Sequence, residues 1–104
     1  MFRDEVRTIV EEIIETSKKD KHISAVYLFG SQARGESTIN SDVDIAIVSD
    51  DPSKVNRVFL NYTAGFYNIP CNFVYTTNDA LIEPNSPFDV NYWIKTEGVL
   101  LWQK

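Results

Sequence analysis

The sequence predicts a small α/β domain, a β-sheet covered by helices. Three observations carry that expectation. An apolar stripe of helical period opens the chain, three β-rich segments follow at 23–29, 42–48 and 71–76, and helix start and stop signals separate them. With 104 residues, 43% hydrophobic and 24% charged, the chain is expected to form one domain over 1–104. That mixture excludes a disordered or collagen-like chain.

Residues 2–17 read as an amphipathic helix. Phe2, Val6, Ile9, Val10, Ile13 and Ile14 share one face, and Arg3, Arg7, Glu11, Glu12 and Glu15 supply the wet sides. Lys18, Lys19 and Lys21 suit the C-terminal end of a helix dipole. Residues 23–29 are nearly all apolar and read as a buried strand. They run into Gly30-Ser31-Gln32-Ala33-Arg34-Gly35, where a turn of helix is expected to begin at Ser31, and then into a polar stretch over 36–41. Residues 42–48 alternate β-branched side chains as a second strand. Asp50, Asp51 and Pro52 read as a cap and a first-turn proline. Val55, Val58, Phe59 and Tyr62 are the expected buried stripe of the helix that follows, which should fray over 65–68. Pro70 breaks the chain before the third strand. A loop or short helix is expected over 77–85. Ser86, Pro87 and Asp89 resemble a cap, first-turn proline and N3 acid opening a helix to about Thr96, with Gly98 as its C′ residue. Residues 99–102 form a short strand or an apolar plug.

Composition narrows the function. Cys71 is the only cysteine, so neither an internal disulfide nor a cysteine-rich zinc site is available. No apolar run approaches the ~18 residues of a membrane span, and no leader opens the chain. A soluble cytoplasmic protein is expected. A net charge of −5 argues against direct nucleic-acid binding, since phosphate neutralisation would need the opposite sign. A modest core leaves room for a partner subunit, a second copy included.

The chemistry concentrates between Phe29 and Val48. Backbone amides at the start of a helix are unpaired and attract anions. Gly30 would let a phosphate approach the backbone, Ser31 adds a donor, and Arg34 adds a charged fork suited to phosphate. Asp42 and Asp44, two apart on a strand, face the same side. Side by side they repel unless a divalent cation lies between them, and carboxylates plus substrate phosphates suit Mg²⁺.

Gly30-Ser31, ten residues, then Asp42-Val43-Asp44 closely resembles the nucleotidyltransferase superfamily related to DNA polymerase beta. The extended form, with Gln32-Ala33-Arg34-Gly35 and Ser41 before Asp42, resembles its minimal nucleotidyltransferase (MNT) branch, as does the close Ile94-Lys95-Thr96-Glu97-Gly98-Val99-Leu100-Leu101. The resemblance implies a mixed β-sheet with flanking helices. It implies Mg²⁺-dependent transfer of a nucleoside monophosphate, AMP from ATP or its equivalent from another nucleoside triphosphate, with release of pyrophosphate. Asp42 and Asp44 would hold the metal, and Gly30, Ser31, Arg34 and Ser41 the nucleotide. It further implies a helical HEPN-domain partner, the MNT chain acting as antitoxin, in some pairs by attaching AMP to a toxin tyrosine.

One position departs from the family. Where a third carboxylate is usual on the next core strand, Pro70-Cys71-Asn72-Phe73-Val74 places Asn72. Asparagine offers a neutral oxygen but takes no proton. The alternative function is therefore a catalytically weakened nucleotide-binding module that neutralises its partner by contact. A small-molecule nucleotidyltransferase would need an additional acceptor domain, and a templated polymerase a basic surface.

Blander readings stand beside these. Arg34 reads equally as a surface arginine. Asn72 also fits an ordinary strand-end polar residue. His22 reads as a solvent-facing loop residue, Cys71 as a small buried side chain, and Phe59, Tyr62 and Phe66 as core. Tyr92, Trp93 and Trp102 read first as core and second as interface. Ser37, Thr38, Asn40 and Ser41 suit a loop, with Ser41 able to position Asp42.

Overall fold

Among the described residues, four strands and five α-helices build a mixed sheet with helices on both faces. The computed structural model describes residues 4–36, 41–84 and 86–104. In chain order the elements are α1 (Asp4–Lys18), β1 (Ile23–Phe29), α2 (Gly30–Arg34), β2 (Val43–Ser49), a 3₁₀ turn (Pro52–Lys54), α3 (Arg57–Ala64), β3 (Cys71–Thr76), α4 (Asn78–Ile82), α5 (Val90–Glu97) and β4 (Val99–Gln103). The strand order is β3-β2-β1-β4. β1 runs antiparallel to β2 and β4, and β2 runs parallel to β3.

Strand alternation divides the core in two. Val26, Leu28, Val43, Ile45 and Ile47 meet Val6, Ile9, Val10 and Ile13 of α1 and Leu60 of α3 on one face. Ala25, Ala46 and Val48 meet Leu81 of α4 and Ile94 of α5 on the other. On the second face Tyr27, Phe29 and Val74 pack around the buried Ala25, Ala46 and Val48. Acidic Asp4 and Glu5 at the start of α1 and Lys18 at its end complement the helix dipole. The expected start at Phe2 lies outside the described residues. No helix among the described residues is long and apolar enough to cross a membrane.

The three β-rich segments form strands as expected, 77–85 yields a short helix, and 99–102 forms strand β4 rather than a plug. The segment after β2 differs. Asp51, directly before Pro52, caps as expected, but what it opens is a single 3₁₀ turn, through the Ser53 amide. A second cap, Asn56 accepting from the Phe59 amide at 3.0 Å, restarts the chain as α3. The break changes the helical phase. Leu60, Thr63 and Ala64 face inward, whereas Phe59, Tyr62 and Phe66 are exposed instead of joining the core, and Val58 is 80% exposed. Buried Thr63 is satisfied by the Phe59 carbonyl and by Thr16 of α1, both at 3.0 Å.

Helix α5 also starts late, at Val90, with Asp89 as its cap. Gly98 is extended rather than left-handed, and its missing Cβ makes room for the Ile94 carbonyl. Trp93 is exposed rather than core, while Trp102 packs against the α1 face. His22 is half-buried in the turn before β1.

Candidate active site

One row across the sheet collects the polar residues. Phe29 on β1 pairs with Asp44 on β2, and Asp44 with Asn72 on β3. Asp42 lies one residue before β2, anchored by the Val43 amide donating to the Pro70 carbonyl at 2.9 Å. Residues two apart share a face, so Asp42, Asp44 and Asn72 project toward the α5 side with Ala46 and Val74.

Asn72 Nδ2 donates to Asp42 Oδ2 and to Asp44 Oδ1, both at 3.1 Å. Two carboxylates thus converge on one atom. The amide protons offset their repulsion through charge-assisted hydrogen bonds. The expected adjacency of Asn72 to the acids is what this register produces.

Gly30 has φ +75°, and a Cβ there would overlap the Asp44 carboxylate. The glycine therefore serves a close approach between turn and acid, besides leaving the backbone open. Phe29 at the N-cap of α2 brings no side-chain acceptor, so the first-turn amides at Gly30 and Ser31 have no side-chain cap. Ser31 is half-buried in that turn. A Gly30→Ala variant should lose about 1–3 kcal/mol from backbone strain alone and displace Asp44. Urea denaturation together with Mg²⁺-ATP titration checks both effects, and unchanged binding would separate Gly30 from the site.

The remaining expected residues are placed less directly. The Arg34 guanidinium is held by Glu97 Oε2 at 3.0 Å and Glu36 Oε2 at 3.3 Å, which ties α2 to α5. The Ser41 carbonyl accepts from Nε2 of buried Gln32 at 3.4 Å, fixing the chain ahead of Asp42. Ser37, Thr38 and Asn40 lie outside the described residues. Gln32 and Glu97 as positioning partners are not signalled by the motif. Gln32 sits inside it as spacer, and Glu97 is 63 positions from Arg34.

Cys71 precedes Asn72 and packs on the opposite sheet face. Burial, then the charges of Asp42 and Asp44, push its thiol up to about 11. At pH 8 its thiolate fraction should be roughly a hundredfold below that of an unperturbed cysteine. Iodoacetamide labelling should accordingly be slow at pH 8 and rise toward pH 11. Rapid labelling of the folded chain at pH 8 would contradict the placement.

The profile described as polymerase beta, nucleotidyltransferase matches residues 11–104. The chain belongs to this nucleotidyltransferase family. Solved structures share the fold at low identity. A toxin–antitoxin complex with AMP-PNP contains a chain 23% identical, with TM-score 0.67, covering 91% of this chain and 73% of that one. The complex of a tri-AMPylated Shewanella oneidensis HEPN toxin with its MNT antitoxin matches at 19% identity and TM-score 0.61, covering 95% and 73%. A Sulfolobus solfataricus protein classed as a nucleotidyltransferase matches at 21% identity and TM-score 0.60, covering 95% and 80%. No curated protein matches the sequence. The nucleotidyltransferase neighbours thus include MNT antitoxins of toxin–antitoxin systems. The family implies, in general, a nucleoside triphosphate and a divalent metal.

The residues present suit such a metal. Asp42 and Asp44 share one face of the sheet, and Mg²⁺ commonly takes one or two carboxylates with substrate phosphates completing the shell. Asn72 Nδ2 now bridges their oxygens and would have to turn away for a cation to sit between them.

Proposed function

We propose that the chain is the MNT antitoxin of a HEPN-domain toxin and transfers AMP from ATP to that protein. The observation that carries the reading is the convergence of Asp42 and Asp44 beside the Gly30 turn, in a chain of this family. Asp42 and Asp44 would hold Mg²⁺, which when bound supplies charge neutralisation to the triphosphate. Gly30 and Ser31 amides, with the Ser31 hydroxyl, orient the phosphates, and Gln32 keeps Ser41 and Asp42 in register. Arg34 reaches phosphate only by leaving Glu36 or Glu97.

In the reaction an acceptor hydroxyl oxygen bonds to the α-phosphorus. The bond from that phosphorus to the bridging oxygen breaks, pyrophosphate leaves, and the hydroxyl proton is lost. Asn72 cannot accept that proton, so it passes to solvent or to a group of the acceptor.

An exposed apolar row along α3 and just past its end supports a protein partner. Val58, Tyr62 and Phe66 are 80%, 64% and 69% exposed, more than scattered surface residues require. One cysteine and no membrane-length helix among the described residues suit the cytoplasm.

Asn72 favours a second reading, a nucleotide-binding chain that neutralises the toxin by contact. Incubation with α-labelled ATP, Mg²⁺ and the HEPN-domain protein encoded beside it separates the two. Covalent label on the partner supports transfer. A tight complex without label supports contact alone. Neither label nor complex defeats both readings.

A further inference from the structure

A cleft of about 310 Å³ opens between α2 and α5, walled by Phe29, Gly30, Arg34, Val90 and Trp93. It adjoins the acid pair through two of these residues. Phe29 is the register partner of Asp44, and Gly30 lies against the Asp44 carboxylate. Val90, Trp93 and Glu97 fall on one side of α5 by helical spacing. Glu97 holds the lining residue Arg34 at 3.0 Å.

Trp93 is 43% exposed, yet its ring is fixed. Nε1 donates to the Pro87 carbonyl at 2.7 Å, and Tyr92 packs edge-on with centroids 5.1 Å apart. The polar edge of the indole is therefore satisfied and immobilised, and binding would cost little ordering of this side chain. Arg34, the charged side chain of the wall, is engaged by two carboxylates.

We infer that this cleft receives the base of the nucleoside triphosphate, with Trp93 as its stacking surface. The inference rests on the nucleotide reading above and adds the part of the ligand that the acid pair does not touch. The volume is at the lower end for small-molecule sites, about 300–1,000 Å³, and suits a base with part of its sugar. Because the walls offer an aromatic face and few free polar groups, recognition is by ring area rather than by base edges. Purine triphosphates bind more tightly than pyrimidine ones, and ATP and GTP bind alike.

Calorimetry with Mg²⁺ and two probes, ATP and inorganic tripolyphosphate, tests this on the full chain, its Trp93→Ala variant and its Trp93→Phe variant. Trp93→Ala should weaken ATP by roughly tenfold, as expected for one base–aromatic stack, and leave tripolyphosphate unchanged. Trp93→Phe should recover most of the loss. In a Trp102→Phe background, ATP should quench the remaining indole fluorescence and tripolyphosphate should not. Equal affinity of ATP for the parent and Trp93→Ala, with unperturbed fluorescence, overturns the inference while leaving phosphate binding intact. A parent that binds neither probe removes the nucleotide reading itself, and this inference with it.

Discussion

Asp44→Ala should abolish Mg²⁺-dependent nucleotide binding and lower AMP transfer by about 10²–10³-fold. Metal stabilisation of developing charge is worth several kcal/mol, and each 1.36 kcal/mol is tenfold in rate. Asp44 is the more sensitive of the two acids because it is central. It pairs with Phe29 and Asn72 across the sheet and fills the space that Gly30 leaves open. Asp42→Ala should act in the same direction, since its Oδ2 shares the Asn72 amide. Titration of each variant with ATP in the presence and absence of Mg²⁺ is the check. Two variants that bind like the parent would remove Asp42 and Asp44 from the site.

The second large effect is a gain. Asn72→Asp should raise transfer by about 10²–10⁴-fold, the usual contribution of a general base, with nucleotide affinity little changed. The same substitution carries a thermodynamic signature that needs no turnover. It replaces a donor at 3.1 Å from two carboxylates with a third negative charge. Losing hydrogen bonds to charged groups costs about 1.5–3 kcal/mol, so the metal-free variant should melt below the parent. Mg²⁺ should then stabilise the variant more than the parent, because binding to the folded state adds to its stability. A variant with neither a larger Mg²⁺ response nor faster transfer would show that Asn72 does not limit the reaction.

The acid pair was legible because it rests on short-range rules. A strand, a glycine turn and two acids two residues apart need no tertiary information beyond a period of two. Asn72 was singled out because the resembled family carries a third carboxylate at that place, and Pro70 with the period of two put it on a strand face. Its role as a shared donor was not legible, since that depends on the parallel register Asp44 to Asn72. The Arg34–Glu97 pair, joining α2 to the end of α5, was hidden for the same reason. The α3 error has a local cause. Reading Val55, Val58, Phe59 and Tyr62 as one stripe assumed a single helix from Pro52; Val55 is buried, but Asn56 restarts the helix in a new phase. Thr63 looks polar in a periodicity count, but it is buried and paired with Thr16. Helix α5 misled in its start, because Pro87 accepts a hydrogen bond from Trp93 instead of sitting in the first turn.

The strand order β3-β2-β1-β4 also bears on how the chain folds. β1 meets β2 soon after it in sequence, but its other neighbour, β4, comes from the far end of the chain. Loop-closure entropy delays such distant pairings, and sheets built on them fold slowly. Until β4 arrives, β1 presents an open row of backbone donors and acceptors, a template for pairing with another chain. The backbone bond from the Lys104 amide to the Ser24 carbonyl, at 2.9 Å, extends the closure of that row beyond β4 itself. The interval before β4 docks is therefore when self-association competes with folding, and the rate of that docking sets how much of the chain escapes aggregation at a given concentration.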